Sequence, residues 1–248
     1  MMRGVSPLAS AVGLSIVGSL GSLLCASLLL LLPASLRTRL VPSLVSYAVG
    51  ALLGVAMMAL LPEALASQSA ARVFGTLLAG ILAFFVLEKA VLWRHCHTDA
   101  CEVHGVSASL VLVGGAFHNF VDGAMIGAAV LTSMPLGIST AVAVAAHEVP
   151  QEIGDFAVLL HAGYSRGRAL LLNALSGLAS VAGAIVAVLL VDLLPGMLPY
   201  MLAVAASSFL YVAMSDLIPD LHQRSPSGVA AIRQVVLIGF GMATVLLL

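Results

Sequence analysis

Long apolar runs separated by short polar breaks make up almost the whole chain. By length they predict eight membrane helices, at about 6–32, 41–66, 72–93, 107–131, 136–161, 167–191, 197–221 and 229–248. The fourth and fifth runs differ from the rest. His118, Asn119 and Asp122 interrupt the fourth, and His147, Glu148, Gln151, Glu152 and Asp155 the fifth. A carboxylate or imidazole at membrane depth costs several kcal/mol unless something pairs with it, so these residues are functional candidates. His118 and Asp122 are i,i+4 and share a helix face, and His147 and Gln151 repeat that spacing. Two such faces turned toward each other would surround a cation.

Composition agrees with the pattern. Of 248 residues 61% are hydrophobic and 8% charged, against roughly 25% charged in a soluble domain, so the chain reads as one polytopic membrane domain, 1–248. Abundant Gly, Ala and Ser suit helices packed backbone to backbone. A net charge of −1 gives no indication of nucleic acid as a partner. The first run is too long for the apolar core of a signal peptide, and nothing suggests a cleaved leader. With the amino terminus outside, Arg37, Arg39, Lys89, Arg94, Arg166, Arg168, Arg224 and Arg233 fall on the inner side, against Arg3 and Arg72 outside. Cytoplasmic loops are the Lys/Arg-rich ones, which places both termini on the outer face.

The second run ends Ala56-M-M-A-L-L-Pro62-Glu63, and the seventh ends Ala213-M-S-D-L-I-Pro219-Asp220. One ends outside and the other inside, the signature of inverted repeats. The expected architecture is 3+2+3: helices 1–3 and 6–8 as the repeats, 4–5 as a central pair that holds the site near the midplane.

Imidazole and carboxylate together suit a borderline divalent cation such as Zn2+, and the lack of thiolates at depth argues against copper(I). His118, Asp122 and His147 are the first ligands expected, with Gln151 a neutral fourth. Asn119, Asp122 and Glu148 form a poorer second set, with Asp122 bridging. Pro150 removes one backbone donor and invites a kink beside the ligands.

The paired segments His118-Asn119-F-V-Asp122-G and His147-Glu148-V-Pro150-Gln151-Glu152-I-G-Asp155-F resemble the signature of the ZIP (Zrt-, Irt-like) divalent metal transporters, and the resemblance runs over essentially the whole chain. It implies a carrier, not an enzyme, moving zinc, iron, manganese or cadmium into the cytosol, with ions as substrate and a possible homodimer in the bilayer. It assigns His118, Asp122, His147 and the Gln151 position to a primary metal site, and Asn119, Asp122 and Glu148 to a secondary one. The expectation is a prokaryotic member in the plasma membrane, here a bacterial inner membrane. The chain departs from the pattern at Gln151, where relatives usually carry His or Glu. It departs again at Ser180, where many carry a carboxylate, so one well-bound ion is expected. Met58, Glu63, Glu152, Asp155 and Ser180 are candidates for a metal pathway, with entry near Glu63 and exit past Asp155.

The inner loop 94–105 holds His95, Cys96, His97, Cys101 and His104, metal ligands by type at a spacing that matches no zinc finger. It reads either as a cytosolic acceptor or sensor or as a solvated loop that is merely rich in His. Two other classes of function compete with transport. His147-Glu148-V-P-Gln151 is similar to the H-E-x-x-H helix of zinc metalloproteases, but Gln151 replaces the second His and Pro150 lies between the ligands. A non-transporting metal sensor lacks an evident output domain.

Overall fold

The computed structural model describes residues 6–93, 103–194, 196–224 and 228–247, all of them in helices and short connections. The helices are α1 Pro7–Leu31, α2 Ala34–Ser67, α3 Ala70–Trp93 and α4 Val103–Thr132, then α5 Met134–His161, α6 Arg166–Leu193, α7 Leu198–Gln223 and α8 Val229–Leu247. Six of them, α1, α2, α3, α6, α7 and α8, are long and apolar enough to cross a membrane. The 30 residues of α4 and 28 of α5 match that length but carry the ionisable groups. An all-helical chain with six to eight long apolar helices is compatible with a membrane protein.

Several boundaries differ from those read in the sequence. Helix α2 begins at Ala34, just after Pro33, well before the apolar run itself starts. Arg37 and Arg39 mark where apolar sequence ends, whereas the helix continues past that edge and takes Pro42 into its interior. Helix α5 runs unbroken through Pro150. A break in α6 that the sequence did not signal falls at Leu178, where the Val181 amide bonds the Leu178 carbonyl and tightens the turn.

The sequence echo between α2 and α7 has a structural counterpart. Each helix widens into a π turn, at Val55–Leu60 and at Val212–Leu217, and each turn is followed two residues later by proline. Pro62 offers no N–H to the Met58 carbonyl, Pro219 none to Ser215, and each ring presses on that carbonyl. Widening by one residue relieves the clash in both places.

Small residues set how the helices pair. Helix α4 lies along the second half of α6, and α8 lies along α2. A Cβ on Gly123 would run into the Ser180 carbonyl, and one on Gly183 into the Phe120 carbonyl, so α4 and α6 meet backbone to backbone. Gly50 and Gly241 do the same for α2 and α8, against Ile238 and Tyr47. Helix α1 packs on α5, and α3 on α7. Two four-helix groups result, α1/α4/α5/α6 and α2/α3/α7/α8, which meet mainly where α2 crosses α5 and α7 approaches α4.

The end of the bundle where α2 and α6 begin carries Arg37, Arg39, Arg166 and Arg168 and is called the basic end below. The half away from it is filled by one apolar cluster that includes Leu52, Leu60, Ile126, Val144, Leu202 and Phe209. The half toward it holds two smaller apolar clusters, around Val45, Val49 and Leu221 and around Leu159 and Ala169, with a cavity between the helices.

Candidate metal centre

Helices α4 and α5 are joined by a tight turn in which the Ser133 hydroxyl accepts a hydrogen bond from the Leu136 amide. The i,i+4 spacing on α4 aims His118 and Asp122 at α5, which answers with His147. His118 Nε2 lies 3.0 Å from His147 Nε2. Asp122 Oδ2 is 3.4 Å from the first nitrogen and 3.2 Å from the second. No other three His, Cys, Asp or Glu side chains converge this closely among the described residues.

The triangle has the dimensions of a zinc site. Zn–N and Zn–O bonds of about 2.0–2.1 Å in a tetrahedron give ligand-to-ligand edges of roughly 3.3 Å. The three observed separations straddle that value, so an ion could sit just off the plane of the donors with little movement of any helix. His147 Nδ1 donates to the Ala143 carbonyl at 3.1 Å, which leaves its Nε2 lone pair facing the other two donors. Asp122 is fully buried, and neither of its oxygens has a hydrogen-bond donor. A cation would supply what these oxygens lack. The Phe209 ring, 6.4 Å from the His147 ring, closes the site on the apolar side.

Toward the basic end the triad opens into a cavity of about 490 Å³. His118 and His147 form its inner wall, followed by Gln151 and Asp155 from α5 and by Asp216 and Asp220 from α7. Gln151, expected as the fourth ligand, stands on this wall one turn from His147.

The other candidates are distributed as follows. Glu148 turns away from the triad toward α1, where the Ser22 hydroxyl lies 2.6 Å from its Oε2. Asn119 turns toward α6 and donates to the Ser176 hydroxyl at 3.4 Å. The second ligand set is therefore spread over two helix contacts, with Asp122 between them. Glu152 is buried, and Asp155 reaches the cavity. The Ser180 hydroxyl donates to the Ser15 carbonyl at 3.4 Å, within the contact between α1 and α6. Met58 and Glu63 are exposed on α2, away from the cavity. His95, Cys96, His97 and Cys101 lie outside the described residues, and of His104 only the backbone at the start of α4 is described. Cys25 is a free thiol on the exposed side of α1.

Sequence reasoning did not anticipate Ser22, Asp216 or Asp220 as neighbours of the site. For Asp216 and Asp220 a signal existed, since both stand in the segment that echoes α2. For Ser22 none did, because serine recurs along α1 at positions 10, 15, 19, 22 and 27.

A family profile described as ZIP Zinc transporter matches residues 94–248. Zinc transporter ZIP10 of Danio rerio is 41% identical over 144 residues, which cover 55% of this chain and 16% of that protein. Zinc transporter ZIP4 of Mus musculus is 49% identical over 112 residues, 45% of this chain and 17% of its own length. Zinc transporter ZIP6 of Homo sapiens is 39% identical over 120 residues, 48% and 16% of the two chains. The matched stretch is thus less than a fifth of each relative's length. These relatives are animal proteins and lend no support to the expected prokaryotic origin.

Proposed function

Because the chain belongs to the ZIP zinc transporter family, we propose that it carries divalent metal, zinc first among them, through the membrane into the cytoplasm by alternating access. Iron(II), manganese and cadmium are secondary cargoes, since imidazole and carboxylate ligands accept them in a shared order of affinity. The observation that carries this reading is the His118–Asp122–His147 triangle: three donors at zinc spacing, buried at mid-helix, with an open cavity on one side and a packed apolar half on the other. Transport suits this site better than proteolysis. Gln151 has no imidazole to complete a metalloprotease helix, and α4 supplies two of the three donors.

All eight helices cross the membrane in this reading, with both termini outside and the basic end in the cytoplasm, so the cavity faces inward. The paired π turns support the inverted 3+2+3 arrangement. Residues 55–60 and 212–217 differ by 157 in number, as do Glu63 and Asp220. In the state described, Val212, Asp216, Leu217 and Asp220 line the cavity. Exchanging the conformations of the two repeats would bring Val55, Ala59, Leu60 and Glu63 to an outward cavity, which places Glu63 at the entrance. Metal would then leave past Gln151 and Asp155. Family likeness is the support for placing it in the plasma membrane and for a homodimer as its form there.

The test is zinc uptake into proteoliposomes by the intact protein and by its His147→Ala variant. Saturable uptake that the variant loses is the expected result. Near-normal flux in the variant would remove the triad from the transport path, and zinc binding without uptake in either protein would favour a sensor.

A further inference from the structure

Beside the cavity, between α5 and α6, lies a second group of donors composed only of oxygen and amide groups. Glu152, on α5, is buried, and its Oε2 has no hydrogen-bond partner. Asn173, on α6, is 2% exposed, and its side-chain amide lies next to the Glu152 carboxylate without completing a hydrogen bond to anything. Asp155 stands one turn further along α5. Its Oδ2 and the Ser176 hydroxyl both lie beside Gly115 of α4, 3.4 and 3.2 Å from where a Cβ would stand. Glycine at 115 keeps that approach open. Asp155 and Gly115 also line the cavity, so an ion there would have a route into the bay.

Leaving the buried Glu152 Oε2 unpaired costs free energy; turning the Asn173 amide about its last bond would present its Oδ1, in place of its N–H, to an ion beside that oxygen. The unpaired Glu152 Oε2, with the Asp155 carboxylate one turn away and the Ser176 hydroxyl, whose oxygen accepts from Asn119 and keeps a second lone pair, offers a hard cation a set of oxygen ligands.

We propose that Glu152, Asp155, Asn173 and Ser176 hold a second divalent cation, separate from the His118–Asp122–His147 triad and on its cytoplasmic side. The proposal deepens the transport reading and rests on it for the word cytoplasmic. The donor set has no imidazole or thiolate, so it discriminates less in favour of zinc than the triad does and accepts Mn2+ readily. An ion leaving the triad passes Asp155 and can be held in the bay before release.

The experiment uses Mn2+ and the full chain in detergent, with free Mn2+ read by its EPR signal. In a background of Asp122→Asn with His147→Ala, which disables the triad, one Mn2+ per chain should still bind. Adding Glu152→Gln or Asp155→Asn should weaken that binding at least roughly tenfold, and adding Asn173→Asp should tighten it severalfold, because affinity at such sites follows ligand charge. The gain expected from Asn173→Asp keeps the test decisive if either loss variant fails to fold. Absence of Mn2+ binding in the background protein, or binding indifferent to all three changes, overturns the proposal. Zinc uptake by the unaltered protein separates the two readings. If uptake fails while the bay still binds Mn2+, the transport function is wrong and the site stands.

Discussion

Replacing Asp122 by Asn changes one oxygen to nitrogen and removes the only negative charge of the triad. If the triad is a metal site, zinc loses a charged ligand at a tetrahedral corner and becomes an incompletely compensated ion in a closed pocket. Removing one partner from a buried ionic contact costs about 3–5 kcal/mol. At about 1.4 kcal/mol per decade, the zinc dissociation constant should rise between roughly a hundredfold and a few thousandfold. The metal-free protein should respond differently. Asp122 is fully buried with both oxygens lacking donors, so an amide of the same shape should change its stability by less than about 1 kcal/mol. Titration calorimetry with zinc and thermal unfolding in a chelator measure the two effects separately. A polar contact that merely fastens α4 to α5 predicts the reverse, with little change in zinc affinity and a less stable chelated protein. That pair of results would refute the metal site.

Gln151→His would add a third imidazole one turn from His147 on the cavity wall, and calorimetry should show zinc held roughly tenfold tighter. Gly241→Ala would drive a methyl group into the Tyr47 carbonyl at the contact of α8 with α2. Overpacking of this kind costs about 1–3 kcal/mol, read as a lower unfolding temperature, while zinc affinity at the distant triad should stay as it was. If the segment before α4 is only an acceptor for released metal, removing residues 95–102 should change uptake rate and leave zinc binding at the triad intact. Loss of that binding would contradict the acceptor role.

The triad was legible in the sequence because helical periodicity fixes its geometry. His118 and Asp122 must share a face, ionisable groups inside an apolar run need a common purpose, and only another polar face could meet them. The echo around Pro62 and Pro219 was legible for a related reason, since proline acts on its own helix wherever that helix packs. The destinations of Glu148 and Asn119 were not. Both stand one residue from a triad ligand, about 100° round the helix, and which neighbouring helix lies at that angle is a property of the assembled bundle. Helix α1 shows the difficulty most clearly. It is apolar on every side, so no periodicity distinguishes Ser22, which meets Glu148, from Ser10 or Ser27. The break at Leu178 was hidden for the same cause: neither proline nor a polar cluster marks it, and the close approach of Ser180 to Gly123 is a contact between segments distant in sequence.

All three donors of the triad stand on α4 and α5, and glycine contacts bind α4 to α6. The donors and the helices that aim them therefore form a single piece, and none is contributed by α2, α3, α7 or α8. An ion held there keeps its companions while the surroundings change. On the proposed transport reading, moving between faces would resemble shifting a closed box along a rail more than passing a parcel from hand to hand, with the metal keeping its three donors on the way. The resistance to such a shift would come from the apolar surface between the two groups of helices, so on that reading turnover should depend more on temperature and on the thickness of the surrounding bilayer than on how tightly the metal is held.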